Sequence, residues 1–520
     1  MKKIKLSNKI KFLSNNTALI LIVLGIFVFI NLFALYFFGR LDLTQGKRYT
    51  ISPATKEIIS NLDDVLTIKL YASKKLPSDF QNIAQYTNDI LSEYAAYSNK
   101  ITVKKIDPAD NEELTAQAAR EGVPPIEMRI MEKDEFKVQK GYFGLALVYG
   151  EKKDAIPVLN QVDNLEYELT SKIIKITATQ LKTVGFLTGH GEHIATKTEA
   201  VTDQAAQNDY SSVREDLEKI YNVKLVNLKD PATLDGVDTL IIAGPKQNIS
   251  DDELLLLDQY ILKGGRALML IDNTQVSLDM KAAPNHSGIE KLTEHYGIKL
   301  EDNLILDESN NVVAFTSGQM QFLVNYSFWP KLLAENFDQS NQIFAKLGSI
   351  SLPWLGSLSA SPKDGLTVKI LATTSNLSMT VTEPYNLDPQ QTPIIKSQGK
   401  IPVIAESSGK FTTLFPDKKP ALIESSGESK IIVVPESEFA SDNYLPRFPI
   451  NITFILNAVD YLTLDDALIS IRAKTIIDRP IGNIGESTKT AIKVVNIIII
   501  PLLVVAFGLG RYLIRKRIKK

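Results

Sequence analysis

Three side chains capable of acid–base or metal chemistry stand almost side by side in the run Gly189-His190-Gly191-Glu192-His193. Imidazole nitrogens and a carboxylate suit zinc, and they equally suit proton transfer. Neighbours this close along a loop cannot supply three ligands to one ion without special geometry, and no His-Glu-x-x-His helix is present. Two other readings stand beside the metal one. In the first, the loop contacts a ligand; in the second, the glycines permit positive φ in a turn whose polar side chains cap the following segment. Glu436 and Glu438, in Pro435-Glu436-Ser437-Glu438, form a second constellation. Two carboxylates can act as an acid and base pair, or they can cap the helix that follows. The ligand-binding expectation therefore falls on His190, Glu192, His193, Glu436 and Glu438, with no catalytic residue and no metal ligand assigned.

Absences narrow the chemistry further. The chain has no cysteine, which removes disulfides, thiolate nucleophiles and Cys-ligated zinc together. No G-x-x-x-x-G-K-[ST] loop is present, so any nucleotide hydrolysis belongs to a partner, and no cofactor is implied. With 58 basic and 60 acidic residues the net charge is close to zero, and nothing in that balance calls for nucleic acid.

The elements that must position these residues centre on 237–272. An apolar run from Thr239 to Ala243 stops at Gly244-Pro245, and Asp251 and Asp252 then offer a cap to a helix with leucines at helical spacing. Gly264-Gly265 ends that helix before a second apolar run to Asp272. Strand, helix and strand, with both strands apolar at consecutive positions, predict a parallel pair covered on both faces. The GHGEH loop follows another strand, Thr183 to Gly189. Such an alternation predicts an α/β fold with a doubly wound sheet, its loops gathered at the carboxyl ends of the strands.

Val184 to His193 (VGFLTGHGEH), the IIAGP…LDQYILKGGRALMLID unit, and IIVVPESEFASDNYL with NITFILNAVDYL together resemble the GldG-like auxiliary component of gliding-motility-type ABC transporters. The resemblance covers nearly the whole chain. It implies an accessory subunit whose partners are ABC permease and ATPase subunits, and a glutamine-amidotransferase-like version of the sheet. The amidotransferase mechanism needs a cysteine nucleophile, so this chain cannot run it.

Ahead of that sheet, the order βαβαββα within residues 63–178 is that of a thioredoxin-like domain, with VPPIEMRI as its third strand and Val123-Pro124-Pro125-Ile126 as a cis-proline turn. Without cysteine it cannot exchange disulfides. The two ends read as membrane anchors. Five lysines and no acid precede the apolar run at 17–39, and the run at 491–510 is followed by a tail with six basic residues and no acid. By the positive-inside bias both termini, 1–16 and 511–520, are expected in the cytoplasm. The bulk of a two-pass cell-membrane protein would then be extracytoplasmic. Between the anchors the expected segments are a stalk at 40–62, the thioredoxin-like domain at 63–178, the α/β domain at 179–309 and 399–475, an irregular or β insertion at 310–398, and a juxtamembrane stretch at 476–490. The function expected is a non-enzymatic subunit that binds a substrate, polysaccharide or protein of the envelope. The rival is a membrane-tethered hydrolase or carbohydrate-active enzyme using the His190/Glu192 loop.

Overall fold

Helix α1 (Pro53–Ser60) begins where the Ser52 hydroxyl accepts from the Thr55 amide and Pro53 occupies the first turn. The computed structural model describes residues 22–27, 29, 50–109, 111–132, 135–160, 165–193, 195, 210–277, 279–317, 320–344, 347–391, 394–417, 423, 425–463 and 508. After α1, β1 (Leu66–Ala72), α2 (Ser78–Tyr97) and β2 (Ile101–Ile106) form a parallel pair with its crossover helix. Helix α3 (Glu112–Arg120) leads to a separate hairpin of β3 (Ile126–Glu132) and β4 (Glu135–Gly141). Then β5 (Phe143–Tyr149) and β6 (Lys152–Ile156) return antiparallel, and α4 (Leu165–Thr177) closes the domain. Its four-stranded sheet runs β2-β1-β5-β6.

Two expectations for this domain are corrected. The run after Pro125 does not supply the third strand of the sheet, because Ile126–Glu132 pairs with β4 instead. That position belongs to β5, which is buried at five consecutive residues from Phe143 to Leu147, whereas β3 alternates apolar residues with Glu127 and Arg129. An alternating strand suits a ribbon covered on one face, and a continuously apolar one suits a strand covered on both. The expected cis-proline turn is absent too. Pro124 and Pro125 both follow trans peptide bonds, the less costly isomer, and among the described residues the cis bond precedes Pro384.

The second domain begins with β7 (Thr183–Thr188), α5 (Ser211–Leu217), β8 (Asn222–Asn227), β9 (Thr239–Ala243), α6 (Asp251–Leu262) and β10 (Arg266–Leu270). Next come β11 (Thr274–Val276), β12 (Ala282–Pro284), α7 (Glu290–His295), β13 (Ile298–Leu300) and β14 (Leu304–Asp307). A β-rich stretch follows, with β15 (Asn310–Ser317), β16 (Met320–Leu333), β17 (Ser349–Ser351), β18 (Leu358–Ala360), β19 (Leu366–Thr373) and β20 (Ser378–Val381). Finally β21 (Pro402–Thr412), β22 (Ser425–Val434) and α8 (Ile450–Thr463) complete the domain. The main sheet has seven strands in the order β19-β21-β22-β10-β9-β7-β8. From β22 to β8 neighbours are parallel, and β21 and β19 are added antiparallel at one edge.

Alternation along the central strands splits the core into two layers. Phe186, Ile241, Leu268 and Ile432 share one with Val213 and Leu217 of α5 and Phe454 and Ala458 of α8. Leu240, Met269 and Val433 share the other with Leu254 and Leu257 of α6 and Leu292 of α7. Ser250, rather than Asp251 or Asp252, caps α6, in a reciprocal box with Glu253. The stretch expected as an insertion on the rim is β-rich, yet it also donates β19 to the main sheet, so it is woven into the domain.

Chain contacts group Met1–Thr475 into one compact unit and Ile476–Lys520 into another. The expected spans at 17–39 and 491–510 lie outside the described residues, apart from helical positions 22–27, 29 and 508, as do both basic tails and 476–490. Among the described residues no helix is long and apolar enough to cross a membrane.

Candidate functional site

Strand β8 lies on one side of β7 and β9 on the other, so the order of the parallel sheet reverses at β7. In open α/β sheets the crevice at such a reversal, beyond the carboxyl ends of the strands, is where ligands bind. The loop leaving β7 is Gly189 to His193. Gly189 has φ +115° and Gly191 φ +77°, and a Cβ on Gly191 would come within 3.2 Å of Lys246 Cβ. These glycines let the chain fold back, so that the His193 amide donates to the carbonyl of Ala243 at 2.8 Å, while the amides of Lys246 and Gln247 donate to the His190 carbonyl.

The loop builds two networks. In the first, His190 Nδ1 lies 3.2 Å from Glu192 Oε1, His190 Nε2 lies 3.2 Å from Glu253 Oε1, and the His190 amide donates to Glu192 Oε2 at 2.7 Å. The Glu192 hydrogen bond, helped by the charges of Glu192 and Glu253, holds the His190 imidazole above its ordinary pKa despite burial. For Glu253, burial acts upward, but hydrogen bonds from Ser250 and the neighbouring imidazole bring the carboxyl below its usual range.

The second network joins residues far apart in sequence. His193 Nε2 sits 2.9 Å from Ser437 Oγ and 3.5 Å from Glu438 Oε1, and its ring stacks on Tyr210 with centroids 5.1 Å apart. Ser437 donates from its amide and its hydroxyl to the two oxygens of Asp272, at 2.7 and 2.5 Å. Tyr210 donates its hydroxyl to the Ser437 carbonyl. All of this closes over Gly244, at φ +61°, where a Cβ would lie 2.4 Å from Ser437 Oγ. Burial raises the Asp272 carboxyl above its ordinary range in spite of the Ser437 hydrogen bonds. Glu436 is raised further, first by burial and then by the charges of Asp272 and Glu438. Its Oε2 accepts from the Phe439 amide at 3.0 Å, and its Oε1 has no hydrogen-bond partner among the described residues.

A serine nucleophile must pass its proton to the histidine base. Here Ser437 Oγ is held by both Asp272 and His193, and Ser437 and His193 are 0% and 1% exposed, so the pair ties the loop after β7 to the turn after β22. Among the described residues no group of three or more His, Asp or Glu side chains is arranged to hold a metal ion. All five residues singled out from sequence lie at this end of the sheet: His190 and Glu192 in one network, His193 and Glu438 in the other, and Glu436 beside Asp272. Asp272, Ser437, Tyr210 and Glu253 were not among the residues singled out. The available signal was position: Asp272 and Ser437 each follow within three residues the end of an apolar run, 267–271 and 431–434.

The family described as an ABC-type uncharacterized transport system matches residues 181–458, and a domain of unknown function matches residues 45–148. An uncharacterized protein of Borreliella burgdorferi is 26% identical over 504 residues, which cover 92% of this chain and 93% of that protein. Among solved structures, the mmIFT52 N-terminal domain superposes with a TM-score of 0.35 at 17% identity, over 54% of this chain and 98% of the domain. An exo-beta-1,4-mannosidase from Opitutaceae bacterium strain TAV5 gives a TM-score of 0.24 at 10% identity, over 81% of this chain and 55% of the enzyme.

Proposed function

The chain belongs to the auxiliary family of an ABC-type uncharacterized transport system, and from that premise we propose a non-catalytic, gliding-motility-type subunit that relays between the transporter and the envelope. In this reading both ends are anchored in the cell membrane with cytoplasmic termini, and permease and ATPase subunits are the partners. The first domain serves as a thioredoxin-like spacer. The amidotransferase-like sheet presents its β7–β9 crevice to an envelope polysaccharide or protein.

One observation carries the proposal: the first and last helices of the described body share a core. Ala54 of α1 is buried in the same apolar layer as Phe454, Ala458 and Leu462 of α8. Helix α1 is also held to the first domain, because buried Glu166 of α4 accepts from the Ser52 amide at 2.6 Å and from Thr55 Oγ1 at 2.8 Å. A displacement of either tether would therefore be felt by both domains at once. Mere attachment would need no such joint.

The test is copurification with the permease after mild detergent extraction, together with a transport readout. Replacing Gly508 and Gly510 by leucine should weaken copurification, because small residues let spans pack closely. Glu438→Gln and His190→Gln should leave assembly intact, because neither lies in a span. Loss of transport with assembly preserved in those two variants would show the crevice at work on a ligand, and turnover of a polysaccharide by the wild type but not by them would favour the hydrolase reading.

A further inference from the structure

A cleft of about 500 Å³ opens at the opposite, amino edge of the main sheet. It is lined by Lys182, Lys263 and Arg266 against one carboxylate, Asp238, and its apolar wall is Val237 and Leu462. Lys182 pairs with Asp238 at 2.8 Å but keeps 53% of its side chain exposed. Asp238 is also engaged by the Thr183 amide at 2.8 Å, and Arg266 donates to the Leu462 carbonyl at the end of α8. Lys263 is exposed, and its ammonium has no hydrogen-bond or ion-pair partner among the described residues. Among the described lining residues, cations thus outnumber the carboxylate.

We propose that this cleft binds a phosphate-ester anion, carried by an anionic lipid headgroup or supplied free in solution. Lysine ammonium and arginine guanidinium groups are the side chains that recognise phosphate oxygens, and the apolar wall suits the carbon part of an ester. Lys182 is where the chain enters the sheet from the first domain, and Thr463 ends α8, so the cleft lies where the sheet joins the segments that precede and follow it in sequence. The lipid form of the ligand rests on the two-anchor reading, which ties the chain to a membrane surface that carries headgroup charge. The free-phosphate form does not depend on it.

The experiment is amine acetylation of the full chain in phosphatidylcholine nanodiscs, read by peptide mass spectrometry at Lys182 and Lys263. Adding phosphatidylglycerol to the discs should slow labelling of Lys263 by about five-fold, and high salt should restore it. Protection by inorganic phosphate in plain phosphatidylcholine discs would instead identify the free anion as the source. In either case Lys263→Glu should remove the protection at Lys182. Absence of protection in both arms overturns the proposal. So does protection that is already complete in plain discs and disappears in Asp465→Asn with Asp466→Asn, since the chain's own carboxylates would then fill the cleft. Failure of permease copurification would leave the phosphate arm standing, which separates this inference from the accessory-subunit reading.

Discussion

At the scale of single residues, the buried acid Glu436 ties stability to pH. Its folded-state pKa is raised, so its favourable contribution is full below the ordinary carboxyl pKa of about 4.3 and is lost as pH rises towards the folded value. Each tenfold gap between the folded and unfolded ionisation constants corresponds to a loss of about 1.4 kcal/mol. Denaturant unfolding of Glu436→Gln between acidic and mildly alkaline pH should show the variant gaining on the wild type as pH rises, because the amide cannot ionise. Curves that stay parallel would mean that Glu436 does not titrate in this window. His190 works in the same direction from a higher start. Its raised pKa gives stability that is full below about pH 6.5 and is lost through the higher folded value, so Glu192→Gln should shift its NMR titration downwards. An unchanged midpoint would show that Glu192 does not hold the proton. The two histidines were legible in the sequence because the chain has only four, and Glu192, Glu436 and Glu438 because they cluster just after apolar runs. Asp272, Ser437 and Tyr210 were not, since the contacts that give them meaning span 165 residues from Asp272 to Ser437 and 227 from Tyr210 to Ser437.

At the scale of elements, the turn after β9 tests how tightly the strand ends are clamped. Gly244→Ala adds a Cβ at φ +61° and drives it against Ser437 Oγ, Asp272 Oδ2 and His193 Cδ2. The left-handed backbone costs an alanine about 1–2 kcal/mol, and forced overpacking adds about 1–3 kcal/mol more. Gly150→Ala is the matched control, since φ is +57° and nothing lies within 4 Å, so only the backbone cost applies. Equal destabilisation of the two variants in urea would mean that the Asp272–Ser437 clamp yields without resistance. Strand, helix and strand at 239–270 could be read from sequence because burial on both faces writes an unbroken apolar run, with helical spacing between the runs. In the first domain the sequence pattern places β3 in the sheet and gives no sign of β6. Lys152–Ile156 is a polar edge strand with little to distinguish it from a loop, and β3 has strand propensity without a place in the sheet.

At the scale of the whole molecule, the order of synthesis matters. Strand β10 ends at Leu270 and its parallel neighbour β22 starts at Ser425, with the entire β-rich stretch between them. Until that partner emerges, β10 presents a bare edge whose last four residues, Ala267 to Leu270, are apolar on both faces of the sheet, the kind of template on which chains aggregate. Pairing across so long a separation is also slow, because loop closure precedes any gain from contact. A body threaded through a membrane behind a first anchor would thus remain unfinished and adhesive for most of its passage.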